Sequence, residues 1–477
     1  MPLHHSSPGL VRAVRRRPRD VAVLGAGPAG IGAAYRLARQ RHHPVVVERA
    51  DRVGGAAASF DVAGVRVDHG SHRLHPATDA AILSVLRRLL GPDLQRRPRR
   101  GRIHLLGRWV AFPLQPVDLI RHLPAGVALG AARDAVVAPI RQPVADTFAD
   151  VLWARLGPTI CEHFYFPYAR KIWGHDPHEL SGEQARRRVS ADSPTKLLRR
   201  IVGLDGADRN HFWYPRRGFG QLWETLAAAA VDAGAQLHLG CEVRSVRLDT
   251  DGVEVDVAGR SPIRAAHAWS TLPVTSLVRM IEPPPPADVL AAAPALSTRA
   301  MVLVYLVLHT DRYTSYDAHY LPGLHTPVTR VSEPKNYRDA ATDPAGRTVL
   351  CAEIPCDRGD AVWSASDEEL AGTVRDALVG ADLTDPHPVE VTVRRLPAAY
   401  PIYDLGWDAA FATVDGWLSN LPRVLTFGRQ GLFVHDNSHH ALAMAWAAAE
   451  ALRPDATFDE QRWSSARRRF EHHVVED

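Results

Sequence analysis

The hydrophobic pattern of the chain begins with an apolar run of the length of a buried strand. Val21 to Leu24 is entirely apolar, as a parallel strand covered on both faces should be. A helical stretch with small residues on one face follows from Ile31 to Arg41, and Val45 to Val47 forms a second apolar run. The pattern therefore predicts a strand–helix–strand unit, the βαβ arrangement of a parallel sheet.

Three glycines occupy the turn between the first strand and the helix. Gly25, Gly27 and Gly30 have the spacing Gly-x-Gly-x-x-Gly, and Pro28 and Ala29 separate the last two. Such glycines permit a tight turn, a close backbone approach to a pyrophosphate, and close packing of the helix on the strand. The free N–H groups and the positive dipole of the helix N-terminus also favour phosphate. The unit is therefore expected to bind a dinucleotide.

An acidic residue and a pair of adjacent glycines follow the second strand. Glu48 lies 18 residues after Gly30, close to the spacing at which an acid holds the ribose hydroxyls of a dinucleotide. Arg49 comes next, and Gly54 with Gly55 offers a second place where the backbone can approach the dinucleotide closely. This order of features is specific for dinucleotide binding, but it does not separate FAD from NAD.

The segment from Arg52 to Gly55 resembles the Arg-x-Gly-Gly motif of a large flavoprotein superfamily. That superfamily includes amine oxidases, protoporphyrinogen oxidases, phytoene desaturases and UDP-galactopyranose mutases. The resemblance implies FAD as the cofactor. It also implies a fold of the α/β class, in which a discontinuous Rossmann-like FAD-binding domain is interleaved with an α+β substrate domain. His72 and Arg73, in a polar turn that follows, are expected to contact the cofactor.

Further motifs extend the resemblance along almost the whole chain. Residues 166–174 are similar to a Tyr-x-x-Lys-x-Trp-Gly signature, which occurs in UDP-galactopyranose mutases and related oxidase-like proteins. Tyr168, Lys171 and Trp173 carry that signature here. The resemblance also implies that the backbone of Val243 contacts the adenine.

The last block that resembles the superfamily, residues 426–452, consists of a strand, a loop and an Ala-rich helical run. In the superfamily this block closes over the isoalloxazine ring. An Asn or Ser is expected to cap the helix, whose positive end would stabilise the negative charge of reduced flavin. The cofactor contacts that the resemblance implies here are Gly428, Arg429, Asn437, Ser438 and His439.

The resemblance also predicts how the chain is divided. A proline run at 283–286 is expected to mark a crossing between domains. The expected segments are a disordered basic tail at 1–17, the FAD-binding domain at 18–80, 210–280 and 390–455, the substrate domain at 81–209 and 281–389, and a C-terminal helix or tail at 456–477.

Charge and cysteine content narrow the class of protein. The net charge of +4 over 477 residues is too small an excess to favour nucleic acid. Four scattered cysteines are too few for a disulfide framework and favour a reducing cytoplasm. The sequence contains no uninterrupted run of about 18 apolar residues, so no transmembrane helix is predicted. Leu119 to Ile140 is broken by charges and is expected to form an amphipathic helix, which leaves peripheral membrane contact open.

The chemistry is expected to reside in the flavin. No second Gly-x-Gly-x-x-Gly follows a strand, so no nicotinamide-binding domain is predicted. The simplest interpretation is a flavin that takes hydride from a small substrate and is reoxidised by oxygen or another acceptor. No acid or base is clearly nominated. The candidates are Lys171, Trp173 and Arg429 for catalysis, and Tyr168, Tyr305, Arg330 and Tyr403 for substrate binding.

Two other functions remain open. UDP-galactopyranose mutase uses reduced flavin as a nucleophile on a nucleotide sugar, and Trp173 and Arg429 fit that branch. Val434, however, stands where such mutases usually carry a second arginine, and the segment after Gly174 lacks a clear match to the uridine-binding region. Paired arginines would bind a pyrophosphate bidentately. A flavin-binding scaffold without turnover is the third possibility.

A metal site is not predicted. His435 and His439 are four residues apart, but no convincing further ligand lies near them in the sequence. The substrate, the electron acceptor and the oligomeric state are left open by the sequence.

Overall fold

The computed structural model describes residues 20–112, 118, 121–188 and 211–475. The expected basic tail at 1–17 lies outside the described residues. In the part of the chain that is described, no helix is long and apolar enough to cross a membrane.

The strands come from every part of the described chain. They are β1 Asp20–Leu24, β2 His43–Val47, β3 Ser59–Val62, β4 Val65–Asp68, β5 Leu94–Pro98, β6 Gly101–Leu105, β7 Arg108–Phe112, β8 His211–Pro215, β9 Gln236–His238, β10 Val243–Asp249, β11 Gly252–Val257, β12 Ile263–Ala265, β13 His267–Ser270, β14 Ile281–Glu282, β15 Thr298–Leu308, β16 Ala318–Tyr320, β17 Arg330–Ser332, β18 Thr348–Cys356, β19 Glu390–Pro401 and β20 Val424–Thr426.

The α-helices alternate with these strands. They are α1 Pro28–Arg39, α2 Ala80–Leu90, α3 Ala125–Val137, α4 Phe148–Leu156, α5 Pro158–Ile160, α6 Phe166–Trp173, α7 Gly182–Arg188, α8 Gln221–Asp232, α9 Val274–Leu277, α10 Ala287–Ala292, α11 Ala361–Ser364, α12 Asp367–Val379, α13 Trp407–Ser419, α14 Gly428–Gly431, α15 Ser438–Ala451 and α16 Glu460–Phe470.

The predicted βαβ unit lies at the centre of a five-stranded sheet. The strand order is β20-β13-β1-β2-β9, and every neighbouring pair in it is parallel. Helix α1 packs between α8 and α15 on one face of this sheet. The five strands come from three separate stretches of the chain, which confirms a discontinuous Rossmann-like domain of the α/β class.

The second large layer is a mostly antiparallel sheet of seven strands. Its order is β19-β15-β18-β17-β16-β6-β7, and β15 and β18 are buried along almost their whole length. Helix α12 packs on one face, and the hairpin of β3 and β4 packs on the other. A four-stranded sheet, in the order β12-β11-β10-β14, lies beside the parallel sheet. An α+β substrate domain is therefore interleaved with the parallel sheet, as expected.

Two of the expected domain boundaries are wrong. Strand β19 was expected in the FAD-binding domain, but it pairs with β15 in the seven-stranded sheet, so the return crossing follows Pro401. Helix α10 was expected in the substrate domain, but Val289 packs with α13 in a core beside the parallel sheet. The proline run at 283–286 therefore marks a turn within one domain, and the crossing lies near Ser297, just before β15.

Candidate active site

The glycine loop after β1 has the geometry that its spacing predicts. Gly25 has φ +99° and donates its N–H to the carbonyl of Val47 at 2.8 Å. A Cβ added to Gly30 would lie 1.9 Å from the carbonyl oxygen of Gly25, so only glycine fits there. At Gly27, by contrast, an added Cβ would meet nothing within 4 Å, and α1 begins directly afterwards at Pro28. The loop therefore leaves open space in front of a helix N-terminus.

The adjacent glycines Gly54 and Gly55 lie directly against this loop. The N–H of Gly54 donates to the carbonyl of Ala26 at 2.8 Å. A Cβ added to Gly55 would lie 3.3 Å from the Cα of Gly27. Two glycine segments thus bound the open space, which fits a dinucleotide pyrophosphate that approaches both backbones.

The last sequence block closes the same region from another side. Gly428, at the start of α14, is so close to α1 that an added Cβ would lie 2.8 Å from the Cβ of Ala29. Asn437 is the N-cap residue of α15, as predicted, and Ser438 is its first helical residue. His439 is buried behind them. The N-termini of α1 and α15 therefore lie in one region, where the resemblance implies the pyrophosphate and the isoalloxazine ring of FAD.

Glu48, the acidic residue after β2, accepts two hydrogen bonds from the backbone. The carboxylate of Glu48 accepts the N–H of Ala26 at 2.8 Å and the N–H of Ala50 at 2.9 Å. Arg49 is exposed next to it, and Val243 is buried at the start of β10. These bonds fix the carboxylate beside the glycine loop, where an acid that holds a ribose is expected.

The polar turn that contains His72 and Arg73 lies between the two domains. Nε2 of His72 is 2.9 Å from the carbonyl of Ala56, and its ring stacks on Phe219. Burial lowers the pKa of His72. Arg73 donates to Asp317 at 2.9 Å, and this carboxylate is almost completely buried. The charge of Arg73 is therefore neutralised by the substrate domain.

Arg330 has a carboxylate partner of its own. Its guanidinium group donates to Glu353 at 2.8 and 3.0 Å, and its carbon atom lies 5.6 Å from the centroid of the Tyr320 ring. The residue expected to bind substrate thus forms a buried ion pair between β17 and β18.

Two of the tyrosines expected to bind substrate are core residues, so that prediction is wrong for them. Tyr305 is fully buried, and its hydroxyl donates to the carbonyl of Asp68 at 2.7 Å. Tyr403 is also fully buried, with its hydroxyl bonded to the carbonyl of Phe433 at 2.8 Å and its ring stacked on Trp407 at 3.7 Å. Both rings and hydroxyls are enclosed by protein, so neither lines a cavity.

Helix α6 carries the other three candidates of the substrate domain. Tyr168 is half-buried and stacks against Phe164. Nζ of Lys171 donates to the carbonyls of Leu321 at 2.6 Å and Val328 at 3.1 Å, in the connection from β16 to β17. Burial lowers the pKa of Lys171 to about 7. The lysine therefore attaches α6 to the seven-stranded sheet without a carboxylate.

A cluster around Tyr400 brings Trp173 and Arg429 together. Arg429 donates to the carbonyl of Ala399 at 2.7 Å, and its guanidinium carbon lies 5.2 Å from the centroid of the Tyr400 ring. Arg188 lies at the same distance from that ring, and 5.9 Å from the ring of Trp173. Burial lowers the pKa of Arg429, and the nearby charge of Arg188 adds to this effect.

Sequence reasoning missed Arg188 and Tyr400. The available signal was the run from Arg186 to Arg188, three positive charges at the end of a helix close to the Trp173 motif. Nothing in the sequence indicated that only the last of the three faces Tyr400.

The histidines near α15 form a different group from the pair that the sequence suggested. His435 is buried, with Nε2 3.1 Å from the side-chain oxygen of Gln184. Asp436, His440 and His473 bring three potential metal ligands within 4.8 Å of one another. Burial opposes ionisation of Asp436, but hydrogen bonds from the two histidines outweigh it and lower its pKa. His473 thereby attaches the segment after α16 to the start of α15.

Most of the chain matches a known protein family. Residues 28–452 match the family model described as "Flavin containing amine oxidoreductase". A putative flavin-containing monoamine oxidase, AofH, of Mycobacterium tuberculosis is 31% identical over 264 residues, which cover 52% of this chain and 56% of that protein. Putrescine oxidase of Kocuria rosea is 34% identical over 154 residues, covering 32% of this chain and 29% of that protein. The match thus spans about half the length of the monoamine oxidase and 29% of the length of the putrescine oxidase.

Solved structures show the same fold at low sequence identity. Reduced UDP-galactopyranose mutase aligns with a TM-score of 0.79 and 20% identity over 96% of this chain and 100% of that chain. A putative protoporphyrinogen oxidase from Exiguobacterium aligns with a TM-score of 0.71 and 17% identity over 91% and 99% of the two chains. Cyclohexylamine oxidase from Brevibacterium oxydans aligns with a TM-score of 0.63 and 18% identity, over 95% of this chain and 99% of that chain.

Proposed function

The chain belongs to the flavin-containing amine oxidoreductase family, and we propose that it uses FAD to remove hydride from a small organic substrate. Oxygen or another acceptor then takes the electrons. The observation that carries this proposal is the open space at Gly27. Gly30 and Gly428 border it, and an added Cβ would lie 1.9 Å and 2.8 Å, respectively, from a neighbouring atom.

Family membership confirms the expectation of FAD. The residues present fit this cofactor, because a Cβ on Gly27 would enter the open space before α1 and the N-terminus of α1 opens into the same space, the cofactor cradle. We assign the pyrophosphate to Gly25, Gly27 and Gly30, and a ribose to Glu48. The N-terminus of α15, beginning at Asn437, is assigned to the ring.

Bound FAD supplies the acceptor for a hydride, and the protein supplies position, charge and exclusion of water. The positive end of α15 favours negative charge that develops near it. Arg429 and Trp173 would border the substrate, because both approach the Arg188 and Tyr400 cluster beside α14. A half-buried Tyr168 on α6 is a further candidate for substrate contact.

A second candidate is the isomerisation of a nucleotide sugar, as in UDP-galactopyranose mutase. One observation favours it. Val434 does not supply a second arginine, but Arg188 lies over the same Tyr400 ring as Arg429. This pair provides the two forks that bidentate binding of a pyrophosphate needs.

The test is anaerobic mixing of the FAD-loaded protein with amines, alcohols and cyclic C–H donors while the visible absorbance of the flavin is followed. Loss of absorbance that air restores would support hydride removal and identify the donor class. Isomerisation of UDP-galactopyranose only after dithionite reduction would support the second candidate instead. Purified protein that folds but does not retain FAD would contradict both.

We also propose peripheral membrane contact through the face of α3 and the segment after it. Leu129, Val136, Ile140 and Val144 are each at least 74% exposed. Arg133 on the same helix is also exposed, and a positive charge beside an apolar face favours an anionic lipid surface. Cosedimentation with anionic vesicles should fall in Val136→Asp but not in Val379→Asp, whose valine is exposed on α12. Equal loss in both variants, or no binding by the wild type, would contradict the proposal.

A cytoplasmic location remains part of the proposal. The four cysteines are free and buried. Burial raises the pKa of Cys356 to about 12, so this thiol is not activated for redox chemistry. Free thiols of this kind fit a reducing compartment, and cell fractionation would test the assignment.

A further inference from the structure

The cluster of Arg188, Arg429 and Tyr400 points to the class of substrate. We infer that the substrate carries an anionic group, a carboxylate or a phosphate, and that the two guanidinium groups bind it. This inference rests on the proposed function and deepens it, because it concerns the same site.

The position of the cluster places it beside the cofactor cradle. Arg429 directly follows Gly428, which lies against Ala29 in the first turn of α1. Its guanidinium group reaches back to the carbonyl of Ala399 and to the ring of Tyr400, at the end of β19. The ring of Tyr400 thus holds two cations at the junction of α7, α14 and the seven-stranded sheet.

Among the described residues, no Asp or Glu forms an ion pair with these two arginines. Other arginines in and around the site have one: Arg73 pairs with Asp317 at 2.9 Å, Arg330 with Glu353 at 2.8 Å, and Arg187 with Glu183 at 2.7 Å. Within the ranges that the structure describes, neither Arg188 nor Arg429 has an ion pair with Asp or Glu.

The carboxylate of Asp436 also acts on Arg429, but no ion pair joins the two side chains. One of its oxygens lies 3.2 Å from Nδ1 of His473. His435 lies nearby, and burial together with the neighbouring arginines keeps its pKa well below the usual range. It is therefore neutral near pH 7, and the net charge of the cluster remains positive.

Two buried N–H groups of the cluster also lack an acceptor. Among the described residues, Nε of Arg429 and Nε1 of Trp173 are buried without a hydrogen-bond partner. Buried donors are normally satisfied, and each unpaired donor is costly. An oxyanion supplies several acceptors at once and would also balance the two positive charges.

A cationic substrate fits this arrangement poorly. A protonated amine next to Arg188 and Arg429 would meet two like charges in a partly buried place, where the repulsion is weakly screened. The site therefore favours a substrate of the opposite charge to a protonated amine, although the solved amine oxidases share the fold of this chain.

The experiment compares four probes that share one ring and differ in charge. Benzoate, phenyl phosphate, benzyl alcohol and benzylamine are titrated into the FAD-loaded protein at low ionic strength. Binding is followed by calorimetry and by the change in the visible spectrum of the flavin. Benzoate or phenyl phosphate should bind at least tenfold more tightly than benzyl alcohol and benzylamine, and the tighter of the two anions identifies the group.

Variants connect this binding to the two residues. Arg188→Gln and Arg429→Gln should each weaken anion binding by about tenfold or more, the usual effect of a lost charge-assisted hydrogen bond. Arg186→Gln is the matched control, because Arg186 pairs with Glu183 and Asp146 outside the cluster, and it should change the affinity by less than about twofold.

The outcomes separate this inference from the proposed function. If neither anion binds, if benzylamine binds as tightly as benzoate, or if all three variants behave alike, the inference is wrong. Reversible bleaching by benzylamine without anion binding would overturn it and still support hydride removal. Loss of FAD from the folded wild-type protein would overturn the proposed function.

Discussion

Nη2 of Arg330 lies 2.8 Å from both carboxylate oxygens of Glu353, and its Nε lies 3.0 Å from one of them. The two side chains are 15% and 5% exposed. Glu353 also accepts the N–H of Ser71 at 2.8 Å, so the pair connects the polar turn before α2 with β17 and β18. A residue that the sequence offered as a substrate ligand thus holds the two domains together.

Removing one member of this pair should be strongly destabilising. Arg330→Gln leaves the carboxylate of Glu353 buried without a counter-charge, and the free energy of unfolding should fall by about 3–5 kcal/mol. Urea unfolding followed by circular dichroism measures this. The double variant Arg330→Gln with Glu353→Gln should recover most of the loss. A single variant as stable as the wild type would show that the pair contributes little.

The glycine loop permits a test that separates folding from cofactor binding. Gly30→Ala would place a Cβ 1.9 Å from the carbonyl oxygen of Gly25 and should prevent both stable folding and retention of FAD. Gly27→Ala meets no protein atom within 4 Å, so it should fold normally but lose most of its FAD, because the Cβ takes the space of the pyrophosphate.

The FAD content is measured as the ratio of the flavin absorbance to the protein absorbance. Stable folding is measured by thermal unfolding. Gly416→Ala, on the exposed side of α13, is the control and should change neither. Full FAD content in Gly27→Ala would contradict the assignment of this space.

Lys171 predicts a pH dependence of stability. Its pKa is lowered to about 7 in the folded protein by burial, and that of an unfolded lysine is about 10.4. Between these values the unfolded state binds one more proton, so stability should rise with pH by about 1.4 kcal/mol per pH unit. Below pH 7 both states are protonated and the dependence should vanish.

The measurement is urea unfolding of the wild type and of Lys171→Met from pH 7 to pH 10. The difference between the two proteins should grow in favour of the wild type as the pH rises. A constant difference over this range would mean that the buried ammonium stays charged between the carbonyls of Leu321 and Val328.

Glu48 provides a test of the ribose assignment. Glu48→Gln retains the shape of the side chain but removes the charge that two backbone N–H groups and a ribose hydroxyl would share. The dissociation constant of FAD should rise by about tenfold or more. Titration of the apoprotein with FAD, followed by flavin fluorescence, measures it. Asp51→Asn, at an exposed neighbouring position, should behave as the wild type. Unchanged affinity in Glu48→Gln would place the ribose elsewhere.

The geometry of the glycine loop could be predicted from the sequence, because its requirements are local. The turn at Gly25, the open position at Gly27 and the close contact at Gly30 all follow from spacing within one βαβ unit. The cap of α15 at Asn437 is equally local, since it depends on the residues at the start of one helix.

The domain boundaries were less predictable, because they depend on which sheet a strand joins. The sequence of β19 does not show which sheet the strand extends, and only its pairing with β15 decides this. The proline run at 283–286 indicates a turn but carries no information on the partner of the next helix.

The sequence by itself therefore determined the βαβ unit and its dinucleotide-binding loop, because glycine spacing and apolar runs act over a few residues. The Arg-x-Gly-Gly motif and the later motifs carried the resemblance that implied FAD. Only the tertiary structure decided that Tyr305 and Tyr403 are enclosed core residues and that Arg330 is neutralised. It also brought Arg188 next to Arg429 across about half of the chain. Charge balance in a site depends on which side chains the packed sheets place within a few ångströms, and no local pattern contains that distance.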